Sequence, residues 1–217
     1  MKISNFKFQI WGIFLFILFI TFSILISLDA LSNIDFDTTV RIQNKIPDFL
    51  ITPFSVFSLL GTVETASVIL LVLWLFIPKL RKFTVLILYA MIGLVEIIGK
   101  SIIGQIGPPI AFLKTDLHFN FPSNYIPHEF FSYPSGHSAR TAFISGILIF
   151  AILFARKLSK KQKQLTILGI LFFDFLMFLS RVYLGEHWFS DVIGGALLGF
   201  SLAFMALSLK SLKFQKS

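Results

Sequence analysis

The sequence predicts an all-α, polytopic membrane protein built as a bundle of six transmembrane helices. Of its 217 residues, 56% are hydrophobic and only 14% are charged, with a mean hydropathy of +0.85. A soluble domain of this length would need far more polar surface. Apolar runs of the about 20 residues that a helix needs to cross a bilayer recur along the chain. Basic residues are also concentrated in every second connecting segment, which is the distribution that membrane topology requires.

The apolar runs set the order of the spans. We place them at residues 8–28, 53–77, 83–106, 137–155, 165–182 and 191–209. The first run is too long for a signal peptide and lacks a small-residue cleavage site, so we expect a retained span. A cleaved signal peptide is the alternative for this run.

Two connecting segments stand out by length. Residues 29–52 are polar, of mixed charge and bounded by prolines, and are compatible with a short interfacial helix. Residues 107–134 are rich in Pro, Asn, His and Phe, and loops of such length are usually functional or disordered. No internal repeat interrupts the pattern, so a single membrane domain is expected over residues 1–217, with the chemically informative motifs within 96–200.

The distribution of charge predicts the orientation. Most of the 19 Lys and Arg residues lie in the N-terminus and in segments 78–82, 156–163 and 210–217, which contain no acidic residue. Cationic loops stay in the cytoplasm, so both termini are expected inside a plasma or inner membrane. The net charge of +8 is therefore a topology signal, and no nucleic-acid partner is expected. The absence of cysteine excludes disulfides and thiolate metal sites.

Three polar clusters fall on the opposite, outer face: Lys100, residues 134–137 and residues 180–191. Each of these clusters contains groups that can bind a phosphate group. Gly136 opens a predicted helix, where backbone N–H groups and the helix dipole favour an anion. Arg181 offers a planar fork of donors that matches phosphate oxygens.

Two histidines accompany these anion-binding groups. His137 lies in the first turn of its helix and can exchange a proton near neutral pH. His187 and Asp191 are four residues apart, a spacing at which a carboxylate can hold one imidazole nitrogen and leave the other free to attack. The outer face therefore combines a candidate nucleophile, a candidate acid–base and phosphate-binding cations.

The run Pro134-Ser135-Gly136-His137 and the later run Ser180-Arg181, five residues, His187, three residues, Asp191 resemble two signature motifs of the type 2 phosphatidic acid phosphatase family. The resemblance implies a metal- and cofactor-independent membrane lipid phosphatase. It implies His187 as the nucleophile that becomes phosphohistidine, oriented by Asp191, and His137 as the general acid and then base. The phosphate-binding residues that it implies are Lys100, Ser135, Gly136 and Arg181.

One motif departs from the family pattern. The first signature is Lys, six residues, Arg, Pro, but here Lys100 is followed after six residues by Gly107-Pro108. Arg140 lies three residues after His137, on the same helix face, and we hypothesise that it supplies the missing charge. Weaker candidates in the long loop are Lys114, His118 and His128.

Several alternatives remain open. Ser135 and Gly136 are also typical of a helix cap that binds no ligand. Arg181 and Lys100 are also typical of residues that anchor a helix at the membrane interface. Glu96, one turn before Lys100, is placed to pair with it.

The main prediction for the function is hydrolysis of a lipid phosphomonoester or diphosphate. The candidate substrates are polyprenyl diphosphate, phosphatidic acid and phosphatidylglycerophosphate. A lipid phosphotransferase and a non-catalytic lipid-binding or transport protein are the alternatives, and the oligomeric state is not predicted.

Overall fold

A computed structural model describes residues 5–114 and 131–208 of the chain. Within those ranges the fold is helical, with one isolated antiparallel bridge between Ile106 and Phe131. The α-helices are α1 Asn5–Ser27, α2 Ser32–Lys45, α3 Ile51–Ser58, α4 Val63–Phe76, α5 Phe83–Ile103, α6 Gly136–Leu153, α7 Lys160–Tyr183 and α8 Phe189–Ser208.

The described helices include five that are long and apolar enough to cross a membrane, namely α1, α5, α6, α7 and α8. A sixth span exists only if the segment Asp48–Gly61 and helix α4 are counted together, because they meet at an angle of 55°. The polytopic all-α class is therefore confirmed, whereas the number of spans is five or six.

The second predicted span, residues 53–77, is wrong as a continuous helix. Helix α3 ends at Ser58 and a 3₁₀ turn follows from Leu59 to Gly61. Thr62 then starts α4 from an extended conformation, with its hydroxyl accepting from the Thr65 amide at 3.3 Å. The Gly61 carbonyl accepts Nε of Arg140 at 3.0 Å rather than a helical N–H. Such a side chain inserted into the backbone ladder is a recognised cause of helix kinks.

The segment before this bend contains the short helix that the sequence allowed. Helix α2 buries Asp35 and Thr39 against the bundle and exposes Ile34 and Phe36. Ile34 and Phe36 are two residues apart and therefore do not share one face of the helix, so an interfacial position for α2 stays a prediction.

The bundle is centred on α6 and α8, with α1 packed on the outer side of α8. Small residues allow this close approach: a side chain at Gly195 or Gly199 would overlap backbone carbonyls of Ser135 and Ala139. This contact is the small-residue packing typical of membrane helices. It fixes the start of α6 next to the start of α8, which is where the candidate chemistry lies.

The two ends of the bundle differ in character. At one end the basic residues bind helix C-terminal carbonyls, with Lys79 on Phe154 at 2.5 Å and Lys163 on Leu153 at 2.8 Å. Cations are favourable at helix C-termini. The opposite end contains the end of α5, the start of α6, the end of α7 and the start of α8, and it holds the polar clusters singled out in the sequence.

Candidate active site

A cavity of about 570 Å³ lies at the polar end of the bundle. Five predicted site residues line it: Lys100, His137, Arg140, Arg181 and His187. Its wall continues along α4 and α5 through mostly apolar residues, among them Val63, Ala90, Ile92, Gly93 and Ile97. Charged groups therefore meet at one end of the cavity, and an apolar passage between two helices leads away from them.

The loop between α7 and α8 presents His187. Nδ1 of His187 lies 3.3 Å from Oδ2 of Asp191, and the same oxygen accepts the Trp188 amide at 2.8 Å. With Nδ1–H donating to the carboxylate, Nε2 has its lone pair free. Burial, together with the nearby Arg181 guanidinium, holds the pKa of His187 well below its ordinary value. His187 is therefore neutral, and hence nucleophilic, at neutral pH.

The path of this loop depends on a close backbone contact. Gly185 has a φ of +73°, and a Cβ there would overlap the Phe112 carbonyl. Gln43 of α2 donates to that same carbonyl at 2.7 Å and to the Tyr183 carbonyl at 2.9 Å. The loop that carries His187 is thus braced from outside by α2 and by the segment after α5.

Asp35 of α2 also stabilises this region, through hydrogen bonds to the start of α8. Its two oxygens accept the Ser190 amide at 2.8 Å and the Ser190 hydroxyl at 2.6 Å, and Gln105 donates to it at 3.3 Å. Burial raises the pKa of Asp35, while the Ser190 bonds oppose that rise. Because Ser190 precedes Asp191, the Asp35 carboxylate caps the first turn of the helix that carries the partner of His187.

Arg181 lies in the wall of the cavity with its side chain 1% exposed, and it forms an ion pair with Glu186. Its Nε has no hydrogen-bond partner within the part of the chain that the structure describes. A buried guanidinium N–H without an acceptor is costly in a resting protein. A phosphate oxygen would satisfy this donor.

The start of α6 places His137 and Ser135 differently. His137 faces the cavity and packs on the bend between α3 and α4, where a Cβ at Gly61 would lie 2.9 Å from its ring carbon Cδ2. Ser135 is fully buried, caps α6 through the Ser138 amide at 3.5 Å, and is absent from the cavity lining. Its geometry is that of a helix cap, and a phosphate-binding role for it stays a prediction.

Glu96 links the two remaining cations. Its Oε1 lies 3.1 Å from Nζ of Lys100 and its Oε2 lies 2.9 Å from Nη1 of Arg140. The predicted pairing of Glu96 with Lys100 is confirmed. Arg140 does reach the cavity as hypothesised, but it does so while bound to Glu96 and to the Gly61 carbonyl.

Residue 107, where the family motif has arginine, lies beside the loop that carries His187. The Ile106 carbonyl accepts Nε1 of Trp188 at 2.8 Å, so Gly107 follows a residue in direct contact with the loop. A Cβ at Gly107 would meet the Ser132 Cβ at 3.4 Å, an ordinary contact distance. A side chain at residue 107 is therefore sterically acceptable.

Three weaker candidates do not belong to the described site. Lys114 binds Asp48 at 2.6 Å and lies over the Tyr183 ring, outside the cavity lining. His118 and His128 lie outside the described residues. Within residues 5–114 and 131–208, no three His, Cys, Asp or Glu side chains are grouped to hold a metal ion.

Sequence reasoning did not single out Asp35 or Glu186. Glu186 immediately precedes His187 and lies five residues after Arg181, so its place between two candidate site residues was a signal visible in the sequence. Asp35 lies 155 residues from Ser190 along the chain. No local pattern connects those two positions, so only the fold reveals their contact.

The class defined by these features is an all-helical integral membrane protein with a cavity lined by histidines and cations at one end of its bundle. The chain belongs to the PAP2 superfamily, whose family model matches residues 83–214, more than half of its length. The family resemblance carried by the sequence motifs is thereby confirmed.

Curated relatives match shorter stretches. The chain is 40% identical over 77 residues to phosphatidylglycerophosphatase B of Bacillus subtilis (strain 168), covering 35% of this chain and 37% of the relative. It is 33% identical over 114 residues to an undecaprenyl-diphosphatase of Sulfolobus acidocaldarius, covering 52% of this chain and 48% of the relative. The matches thus span between about a third and a half of the curated relatives.

Solved structures show the same fold over most of the chain. A transmembrane PAP2-type phosphatidylglycerolphosphate phosphatase from Bacillus subtilis superimposes with a TM-score of 0.72 at 21% identity, covering 90% of this chain and 93% of that one. Aquifex aeolicus LpxE superimposes with a TM-score of 0.61 at 22% identity, covering 81% and 96%.

Proposed function

We propose that this protein is an integral membrane lipid phosphatase that hydrolyses a lipid phosphomonoester or diphosphate through a phosphohistidine intermediate. The single observation that carries the proposal is the cavity that His187, held by Asp191, lines together with Arg181, Lys100 and Arg140. A neutral imidazole oriented by a carboxylate is an activated nucleophile, and cations around it favour an anionic substrate.

In the first half of the proposed reaction, Nε2 of His187 attacks phosphorus as the bond from phosphorus to the lipid oxygen breaks. His137, which also lines the cavity, donates a proton to the leaving oxygen. Arg181 and Lys100 bind the equatorial oxygens and stabilise the charge that spreads over them. The products of this step are the lipid alcohol, or the lipid monophosphate from a diphosphate, and phosphorylated His187.

In the second half, His137 acts as a base. It takes a proton from water, whose oxygen attacks the phosphorus of phosphohistidine while the P–N bond breaks. Inorganic phosphate leaves and neutral His187 is restored. The Asp191 carboxylate stabilises the imidazole through both halves because it accepts from Nδ1 throughout.

The shape of the cavity supports a lipid rather than a soluble substrate. Helices α4 and α5 are in contact near their shared turn, where Trp74 packs edge-on against Phe83. Farther up, the Ser67 and Tyr89 hydroxyls are 3.2 Å apart, and the cavity extends between the two helices from this pair to the charged end. Tyr89 and Lys100 both line the cavity and are 11 residues apart on α5, which corresponds to about 16 Å along the helix axis. An acyl or prenyl chain would occupy this passage, with its phosphate at His187.

The names of the relatives favour two of the three candidate headgroups. One relative is named for phosphatidylglycerophosphate and another for undecaprenyl diphosphate. Phosphatidic acid stays a third candidate.

The orientation that we propose puts both termini in the cytoplasm and the cavity at the extracytoplasmic face. The basic residues Lys79 and Lys163 lie at the end of the bundle opposite the cavity, which supports this orientation through the positive-inside rule. Labelling of single cysteines introduced at residues 79 and 107, in intact cells, tests it, because only residue 107 should react with an impermeant reagent.

The experiment that tests the function is phosphate release by purified protein from a panel of these lipid phosphates, with a chelator present. Wild type and His187→Ala are compared, with Asp37→Asn, an exposed change on α2, as the control. We expect release that survives chelation, disappears in His187→Ala and is unaffected in Asp37→Asn. Release that persists in His187→Ala would refute the phosphohistidine mechanism.

A further inference from the structure

The phosphate-binding end of the cavity already contains an anion, the Glu96 carboxylate. It lies between two cations predicted to hold phosphate, 3.1 Å from Nζ of Lys100 and 2.9 Å from Nη1 of Arg140. Its side chain is 15% exposed, so little water screens these contacts. The charge of both cations is therefore engaged before any substrate binds.

The same carboxylate also lies at the start of α6. A Cβ at Gly136 would overlap both Glu96 oxygens. Gly136 is the first residue of α6, where unpaired backbone N–H groups and the helix dipole favour negative charge. The absence of a side chain at Gly136 thus admits an anion in this structure, and that anion belongs to Glu96.

We propose that Glu96 is a specificity-determining residue that occupies part of the phosphate site and competes with phosphate groups for Lys100 and Arg140. The inference rests on the proposed function, because it concerns the same site. A substrate phosphate and the Glu96 carboxylate are both anionic, and they cannot share two cations in a poorly screened cavity without strong repulsion. Phosphate must therefore displace the carboxylate. Because Glu96 loses its contacts with Lys100 and Arg140 in that exchange, the binding free energy of phosphate is less favourable than it would be without Glu96.

Such competition has a clear use in a hydrolase. Inorganic phosphate, the product, would bind tightly to a buried site lined by three cations. A tethered carboxylate that returns to Lys100 and Arg140 lowers the affinity for the product, whereas the lipid substrate gains additional binding from its chain in the apolar passage. The site would thereby distinguish a phosphate attached to lipid from a free phosphate ion.

A different role for Glu96 makes the opposite prediction. If the carboxylate only positions Lys100 and Arg140 for substrate, removing its charge should weaken phosphate binding. Glu96→Gln separates the two roles, because the amide has nearly the shape of the carboxylate and keeps one acceptor oxygen for Lys100 while losing the negative charge.

The test measures binding of inorganic phosphate to the purified full chain by titration calorimetry, and its inhibition constant in the lipid assay. We expect Glu96→Gln to bind phosphate about tenfold more tightly than wild type, the scale of one charge-assisted hydrogen bond. Asp37→Asn removes an exposed carboxylate and should leave phosphate affinity unchanged. Glu96→Asp, which keeps the charge on a shorter side chain, should lie between wild type and Glu96→Gln and serves as the second variant if Glu96→Gln does not fold.

Unchanged or weaker phosphate binding in Glu96→Gln, or in Glu96→Asp where it is the variant measured, would overturn the inference, as would undetectable binding in all the proteins. The calorimetric result needs no turnover. If wild type released phosphate from no lipid, the proposed function would fail while the competition between Glu96 and phosphate would still be measured.

Discussion

Nδ1 of His187 lies 3.3 Å from Oδ2 of Asp191, one helical turn farther along the chain, and this contact sets which imidazole nitrogen faces the cavity. We expect Asp191→Asn to lower kcat by about a hundredfold or more, since the amide can hold the ring in the wrong tautomer and does not stabilise a cationic ring. Single-turnover assays with a ³²P-labelled lipid phosphate should show slower formation of the phosphoenzyme. Formation at the wild-type rate would remove Asp191 from the mechanism.

The depressed pKa of His187 predicts the pH dependence of turnover. The attacking form is the neutral imidazole, and burial beside Arg181 moves its pKa below the ordinary value of about 6.5. Lowering the pH therefore leaves His187 neutral until the pH falls through this lower pKa. We expect the acid limb of kcat/KM to lie below pH 6.5, measured on a substrate whose phosphate ionisation is known. An acid limb above that value would contradict a lowered pKa for the attacking imidazole of His187.

Arg140 is expected to contribute the charge that the family motif places at residue 107. Arg140→Ala should lower kcat/KM by about tenfold to a hundredfold, because a charge-assisted contact to phosphate is lost. Gly107→Arg, which restores the motif beside the Trp188 loop, should recover part of that loss. If Arg140→Ala left turnover unchanged while Arg181→Ala abolished it, the compensation hypothesis would be wrong.

The apolar passage predicts a selective block by a large side chain at Gly93. A Cβ there would meet no atom within 4 Å, and Gly93 lines the cavity. We expect Gly93→Phe to raise KM for long-chain lipid phosphates while leaving hydrolysis of a small phosphate such as p-nitrophenyl phosphate unaffected. Gly169→Phe is the matched control, since Gly169 also has open space around it but lies on the outer face of α7. Equal loss on both substrates would indicate misfolding of the bundle rather than a blocked passage.

Asp35 is expected to act as a positioning residue through Ser190. Asp35→Ala removes two hydrogen bonds from the first turn of α8, which should cost about 1 to 3 kcal/mol of stability and lower kcat with little change in KM. Thermal unfolding and steady-state kinetics on the same preparation measure both effects. Asp35→Glu should recover kcat in part, and a fall in stability without any fall in kcat would make the role purely structural.

The sequence alone determined the parts of this protein that depend on local chemistry. Run length and composition predicted the membrane class, and motif spacing predicted the family. The same motifs predicted five of the residues that line the cavity, because the order of the spans brings the ends of these helices to one membrane face. The sequence did not predict the bend at Gly61, because the hydropathy across residues 53–77 shows no break. The bend depends on Arg140 of another helix, which donates to the Gly61 carbonyl.

Only the tertiary structure decided how charge is distributed in the site. Glu96 was expected to pair with Lys100, but its contact with Arg140 and its position against Gly136 depend on the packing of α5 on α6. The capping of Ser190 by Asp35 likewise joins residues far apart in the chain. Such contacts depend on the angles and depths at which helices pack, and these are set by side-chain shapes across the whole bundle rather than by any local pattern.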